Sequence, residues 1–545
     1  MKYIKISIVI LLVSFISIFA YKLTTNNSNN KISLTKEQIK EMLSYTIDGN
    51  KTSSMPTKGS GYKVKSITCK SGSILSWDND NWLLEVEKLE SEDLCNIDFT
   101  TGTGSYTVTA VPSIAGSLDS TSKTTTENGQ VTFYTDLAID SVSGCTNEIS
   151  DGKVIVKNIT SNTTCNVEIT KNIYNMLLIN NPIIKTRTDF SKAYTEENTK
   201  TLFKTQENNT DVYYFAGNAT DNWVKFGKYQ QDEIIYVGNL KGYEGTVRKF
   251  NSLSECSSNT SFENCRKVTL GLKGESIYWR IIRTNADGSI RLLYHGNSPS
   301  TTSAVINVES KYSSASNDPM YVGYMYGTSG SLENNRTNTN SSVIKTVIDE
   351  WYLKHLIQYE QYISLDAVYC SDRNSENFDY NSDINFPTYN RYMNTKVPTY
   401  NCSNAYDSFS ANNSKATLIC SDNSSKVCPI GLITIDEIIY SGNIYNTAEN
   451  KGDQFLYYSS NSAGKSSTSD LMWYTMSPFR WDSASSVVRI FAINGQISGG
   501  LGNISWGGLT NTFGNAVRPV LSIKGDGIWK SGDGSAESPY EIVMN

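Results

Sequence analysis

The chain writes the same phrase twice, "CNIDFT" from Cys95 and "CNVEIT" from Cys165, and each time another cysteine stands upstream, at Cys69 and Cys145. This repeat constrains the fold more than any other feature. In both copies apolar and polar residues alternate, the pattern of a strand with one buried face. Ahead of the first copy, "GYKVKSITC" and "GSILSWDNDNWLLEVEKL" read as a strand and a turn-linked strand pair; ahead of the second, "YTVTAV", "NGQVTFYT" and "DGKVIVKNIT" supply similar parts. A β module of about 60 residues buries too little core to be secure alone, and closing a loop of roughly twenty to thirty residues contributes about 3 kcal/mol. The expected staples are therefore Cys69–Cys95 and Cys145–Cys165.

Six more cysteines follow, Cys256, Cys265, Cys370, Cys402, Cys420 and Cys428, making an even total of ten. Disulfides in an oxidising compartment are the natural reading, because no C-x-x-C pair occurs and the only histidines are His295 and His355. Cys256 and Cys265 close a local loop. The last four allow three pairings, and Cys370–Cys402 with Cys420–Cys428 is preferred because it leaves the loops short.

The opening "MKYIKISIVILLVSFISIFAYKL" sets lysines before an apolar run, the form of an export signal. Its end offers only Ala20 as a small residue, which favours an uncleaved transmembrane helix over residues 1–24 rather than a cleaved signal peptide. The expected localisation is thus the cell membrane, single-pass, with the C-terminal part extracellular and the membrane as one partner. A net charge of −6, with both signs interspersed, argues against nucleic acid. Thirty-four tyrosines among abundant Asn, Ser and Thr tilt the composition towards sheet.

The expected organisation runs from the anchor through a linker at 25–54, where Thr35 and Gln38 have capping-box spacing, to a β module at 55–101 and a second at 102–171. A connecting segment at 172–204 leads into one long domain at 205–545. In that domain "YWRIIRTNADGSIRLLYHG" predicts a hairpin across an N-A-D-G turn. "SSVIKTVIDEWYLKHLI" sets Ile344, Val347, Ile348 and Trp351 at helical spacing, and "ITIDEIIYSG" predicts a short helix capped by Thr434 and Glu437 and stopped at Gly442.

The ordered motifs "YWRIIR…DGS.RL", "W…SP" and "VRPV.S" resemble a broad, largely uncharacterised family of exported surface domains from anaerobic Firmicutes and wall-less relatives. More remotely their order is similar to the formylglycine-generating-enzyme branch of the C-type-lectin-like folds. The N-terminal modules resemble internalin-type B repeats in length and strand pattern. The implied fold class is α+β and all-β: a transmembrane helix, two stapled β modules as a stalk, and a lectin-like α+β domain. This chain departs from the family by an insertion at 229–274, carrying Cys256 and Cys265.

No catalytic constellation is found. The redox cysteine pair of a formylglycine-generating enzyme is missing, since no cysteine follows Cys428. No G-x-S-x-G frames a serine, and Glu437 beside Asp436 reads as a cap rather than half of a glycosidase pair. "KGDGIWKSGDGSAESPYEI" is the most calcium-like stretch, through Asp526 and Asp533. It lacks the D-x-D-x-D-G order, so tight turns account for it and no cofactor is expected. What remains is binding. Trp481 and Trp506, with Tyr474, Arg480 and Asn503, stand in Gly-, Ser- and Asn-rich stretches and have the chemistry to stack on sugars or anchor a protein; Trp473 and Arg518 read as structural. The expected function is a cell-surface, adhesin-like protein that presents a glycan- or protein-binding domain on a β stalk, with an exported enzyme of cell-wall or glycan metabolism as the alternative.

Overall fold

The computed structural model describes residues 4–8, 20–25 and 41–544, except 79–81, 91, 102–103, 151, 195, 243–246, 376, 403, 444–470, 495–502 and 509–514. The chain forms two compact units, Met1–Thr170 and Lys171–Asn545. Thr35 and Gln38, the expected linker cap, lie outside the described residues.

In the smaller unit the two phrases become equivalent strands, Cys95–Thr101 and Thr163–Ile169. Cys95, Ile97 and Phe99 are buried in one, and Cys165, Val167 and Ile169 in the other, so alternation does place one face inside. The repeat extends to topology. Cys95–Thr101 pairs in parallel with Leu43–Ile47 and antiparallel with Tyr62–Cys69, while Thr163–Ile169 pairs in parallel with Ser105–Pro112 and antiparallel with Ile139–Ser143. The first module thus begins well before residue 55. Cys69 and Cys95 face each other in register and are bonded, and Cys145 and Cys165 form the second disulfide. Trp82, Leu84, Val86, Ile97 and Phe99 form the first module's core, with the Trp77 and Trp82 rings edge to face at 5.4 Å.

The N-terminal anchor is corrected. No helix among the described residues is long and apolar enough to cross a membrane. The described ends of the opening segment are strands, Ile4–Ile8 and Ala20–Thr25, paired antiparallel with Ile8 opposite Tyr21; the second continues in parallel onto Leu83–Lys88. Single-pass membrane attachment is therefore not supported. The run is rich in Ile and Val, whose branched side chains favour strand, as its described ends adopt.

The fold class is corrected with it. Strand accounts for 45% and helix for 13%, so the molecule is mostly β, with short helices set on sheets, rather than carrying an α+β C-terminal domain. In the larger unit a ten-stranded sheet is built around the hairpin Ser276–Thr284 and Ile290–Gly296; the first strand pairs with Trp223–Lys228 and the second with Pro519–Ile523. A six-stranded sheet is built on Met472–Asp482 and Val487–Asn494. One large core unites them, and the helix Ile173–Asn180 of the connecting segment contributes Ile173 and Leu177 to it.

The longest described helix of this unit, Val343–His355, is capped by Ser342 and buries Ile344, Ile348 and Trp351. The insertion forms its own three-stranded sheet, Glu233–Leu240, Val247–Phe250 and Phe262–Gly271, stapled by Cys256–Cys265. It is docked on the domain, since Ile235, Val237 and Leu270 join the core and Glu233 Oε1 lies 2.9 Å from His355 Nε2. Cys370–Cys402 and Cys420–Cys428 complete the five disulfides.

Candidate functional site

The aromatic site expected from the sequence does not form an exposed face among the described residues. Trp481 is only 4% exposed, and its indole N–H donates to the Tyr380 carbonyl at 3.1 Å. Its strand, Met472–Asp482, is paired there with Ile384–Asn385, with Ile384 opposite Trp481. Tyr474 is fully buried, edge to face with Tyr312 at 5.5 Å, and burial raises its phenol above the ordinary range. Arg480 is partly exposed and ion-pairs with Asp383 at 3.2 Å. Asn503 and Trp506 lie on the strand Asn503–Gly508, opposite Asn494 and Phe491; their side chains fall outside the described residues. Trp473 and Arg518 are buried, with the guanidinium 5.2 Å from the indole centroid.

The histidines and Asp533 have partners within the fold. His295 is buried edge to face with Trp223 at 4.5 Å, and burial, helped by Arg518 and Arg280, holds its pKa well below the usual value. His355 accepts from the Gln230 backbone N–H and faces Glu233. Asp533 accepts from the Ser535 backbone N–H between Gly532 and Gly534, both at positive φ, as a tight turn requires. Cys69, Cys95 and Asp93 have metal-ligand spacing, but both sulfurs are in a disulfide and Asp93 accepts from the Ser71 and Ser73 N–H groups.

The structure assembles a different site from residues of the same motifs. Arg283 and Arg291 come from the two strands of the hairpin, and Glu437 from the first turn of Ile435–Tyr440, where the Thr434–Glu437 capping box is formed. Glu437 Oε1 accepts from Arg283 Nε at 3.0 Å and from Arg291 Nη1 at 3.1 Å, while Oε2 accepts from the Thr434 N–H at 2.9 Å. Arg283 also holds Glu207, with Nη2 to Oε1 at 3.0 Å. Burial works against these charges, and their mutual attraction, with the Thr434 N–H on Glu437, offsets it. Glu437 is opposed by burial, yet Arg291 and Arg283 leave its pKa lowered; Arg283 is likewise opposed by burial, yet Glu207 and Glu437 leave it raised.

Beside this cluster lies a cavity of about 20 Å3, lined by Arg283, Arg291, Asp372, Arg391, Tyr400 and Asp436 among others. That is room for about one or two waters. Arg391, in the π-helical turn Arg391–Thr395, bridges Asp436 (Nε–Oδ1 2.9 Å, Nη2–Oδ2 2.7 Å) and Asp372 (Nη2–Oδ2 2.7 Å). Asp372 sits in a left-handed conformation at φ 36°, and burial raises its carboxyl despite Arg391. The Cys370–Cys402 disulfide ties together the two segments that bring Asp372 and Tyr400 to the cavity. The Tyr400 ring lies 4.1 Å from the Arg283 guanidinium.

Two residues of the lining each carry a fully buried polar atom with no hydrogen-bond partner, the Tyr400 hydroxyl and Arg291 Nε. The sequence placed Arg283 and Arg291 only as strand residues and Glu437 only as a cap. The signal that could have found the site is the burial of charged residues within otherwise apolar strands, as in "IYWRIIRT" and "IRLLY".

No known protein family, no curated protein and no solved structure matches the chain.

Proposed function

We propose that this is a binding protein of an oxidising, extracytoplasmic compartment, whose larger unit recognises a glycan or protein ligand in the manner of an adhesin and does not turn it over. The smaller unit, two disulfide-stapled β modules, serves as a spacer. The observation that carries the reading is the state of the charges around the cavity: Arg283, Arg291 and Arg391 are each held by a carboxylate, and Glu437, Asp436 and Asp372 are each held by a guanidinium. A general acid or base must exchange a proton and a nucleophile must be free to attack. Groups locked in mutual ion pairs instead make a rigid frame for recognition. The five disulfides support the compartment.

The test is to apply the oxidised full chain to glycan and protein arrays and to analyse the captured ligand afterwards. Saturable capture of an unaltered ligand is expected; cleavage or modification of the ligand on prolonged incubation overturns the reading.

A further inference from the structure

We infer that Lys345 and Asp349 become joined through their side chains, the Lys345 amine condensing with the Asp349 carboxyl to an amide once the larger unit has folded. The two residues stand four apart on the helix Val343–His355, so their side chains share a face one turn apart. Lys345 Nζ lies 2.5 Å from Asp349 Oδ2. Lys345 is 0% and Asp349 1% exposed, and Lys345 is the only buried lysine among the described residues. The buried ion pairs of Arg283, Arg291 and Arg373 use guanidiniums, which stay protonated and do not attack a carboxyl. A lysine amine can give up its proton and become a nucleophile.

An ammonium and a carboxylate do not condense, whereas an amine and a carboxylic acid do. Burial pushes this pair towards the second form. It holds the Lys345 amine below the ordinary lysine range although the Asp349 charge opposes the shift, and it holds the Asp349 carboxyl above the ordinary range although Lys345 opposes that one. Moving one proton from Nζ to the carboxyl leaves two neutral groups in contact, and fixed contact replaces a chance encounter.

The two oxygens of Asp349 are held differently. Oδ2 accepts from the Ser421 backbone N–H at 2.8 Å and from Ser421 Oγ at 2.7 Å, whereas Oδ1 is buried with no partner. Oδ2 is therefore placed as the carbonyl oxygen and Oδ1 as the departing hydroxyl. The Nζ lone pair forms the bond to Cγ, and the carbonyl pair moves onto Oδ2, where the two Ser421 donors stabilise the developing charge. When that pair returns, the Cγ–Oδ1 bond breaks, and Oδ1 leaves as water with its own proton and one from the nitrogen. No oxidant or other reactant is consumed. The amide N–H keeps the Ile419 carbonyl, which Nζ already reaches at 2.6 Å, and the amide oxygen keeps Ser421. The unpartnered Oδ1, an oxygen of the kind native interiors rarely retain, is gone.

The experiment uses the oxidised full chain, kept folded for days at neutral pH, then reduced, unfolded and digested with trypsin, with the peptides read by tandem mass spectrometry. The peptide 337–354 should appear uncut after Lys345, lighter than its sequence by one water, and should give no backbone fragments that separate residue 345 from residue 349. Lys345→Arg keeps a cation beside Asp349 but cannot condense, so the same peptide should then have its full mass and be cut after position 345. The wild-type peptide decides the matter even if that variant folds poorly. Cleavage after Lys345 into two peptides of full mass overturns the bond. So does a missing water that persists in Lys345→Arg, or one that mild base restores with Lys345 open to trypsin, since a cyclic imide at Asp349 would behave in that way.

Discussion

Replacing Glu437 by Gln should be among the most damaging isosteric changes in the larger unit. Gln preserves the volume and can still accept in a capping box, so neither a cavity nor the loss of the helix start enters the cost. What is lost is one charge. Glu437 is buried, and it is the only carboxylate within ion-pair distance of Arg291 among the described residues; Arg283 would be left with Glu207 alone. Breaking a buried ion pair by removing one partner costs about 3–5 kcal/mol, because the remaining charge stays buried. This corresponds to roughly two to three and a half orders of magnitude in the unfolding equilibrium.

Urea unfolding at pH 7, with hydrogen exchange measured on peptides from 171–545, isolates the larger unit from the smaller one. Arg291→Met added to Glu437→Gln should recover part of the loss, since it removes the stranded charge. The pH dependence has a definite sign. With its pKa below the ordinary 4.5, Glu437 contributes stability that is fully present above that value and is lost as pH falls through its lower folded value. The wild-type advantage over Glu437→Gln should therefore hold from neutrality to about pH 4.5 and shrink below it. A loss under about 1 kcal/mol at pH 7, or a double variant less stable than the single one, would refute the account of the cluster as a charge-balanced unit.

Trp481→Ala should lower the stability of the larger unit by about 3–5 kcal/mol in the same exchange measurement, the cost of emptying a large core site; a near-neutral effect would return Trp481 to the surface. His295, kept neutral by burial and by Arg518 and Arg280, makes the larger unit less stable as pH falls below about 6.5, by up to about 1.4 kcal/mol per pH unit, because the unfolded chain takes up a proton that the folded chain refuses. His295→Gln should flatten that slope between about pH 6.5 and 5, and an unchanged slope would sink the assignment.

Local order was what the sequence settled. The alternation in "CNIDFT" and "CNVEIT", the D-G turn of the hairpin, the Thr434–Glu437 cap and the pairing of each cysteine with the next along the chain all depend on neighbours within a few residues or on loops short enough to favour closure. These signals do not need the rest of the fold. The start of the first module was hidden because Leu43–Ile47 is recruited by parallel pairing to Cys95–Thr101, about fifty residues away. The opening apolar run was ambiguous for a different reason: Ile and Val are as suited to a strand as to a span, and hydropathy alone does not choose.

Trp481 shows the limit most directly. Its neighbours are polar and its strand has a turn after it, yet it is buried, with Tyr380 accepting its N–H and Ile384 paired beside it on the adjacent strand, both about a hundred residues upstream. The ion cluster has the same origin, since residues 207, 283, 291 and 437 share no local pattern and meet only when three strands and a helix pack together. Burial and charge pairing are properties of the space around a side chain. Where that space is filled by distant segments, strand register and packing decide them, and the residues on either side in the chain do not.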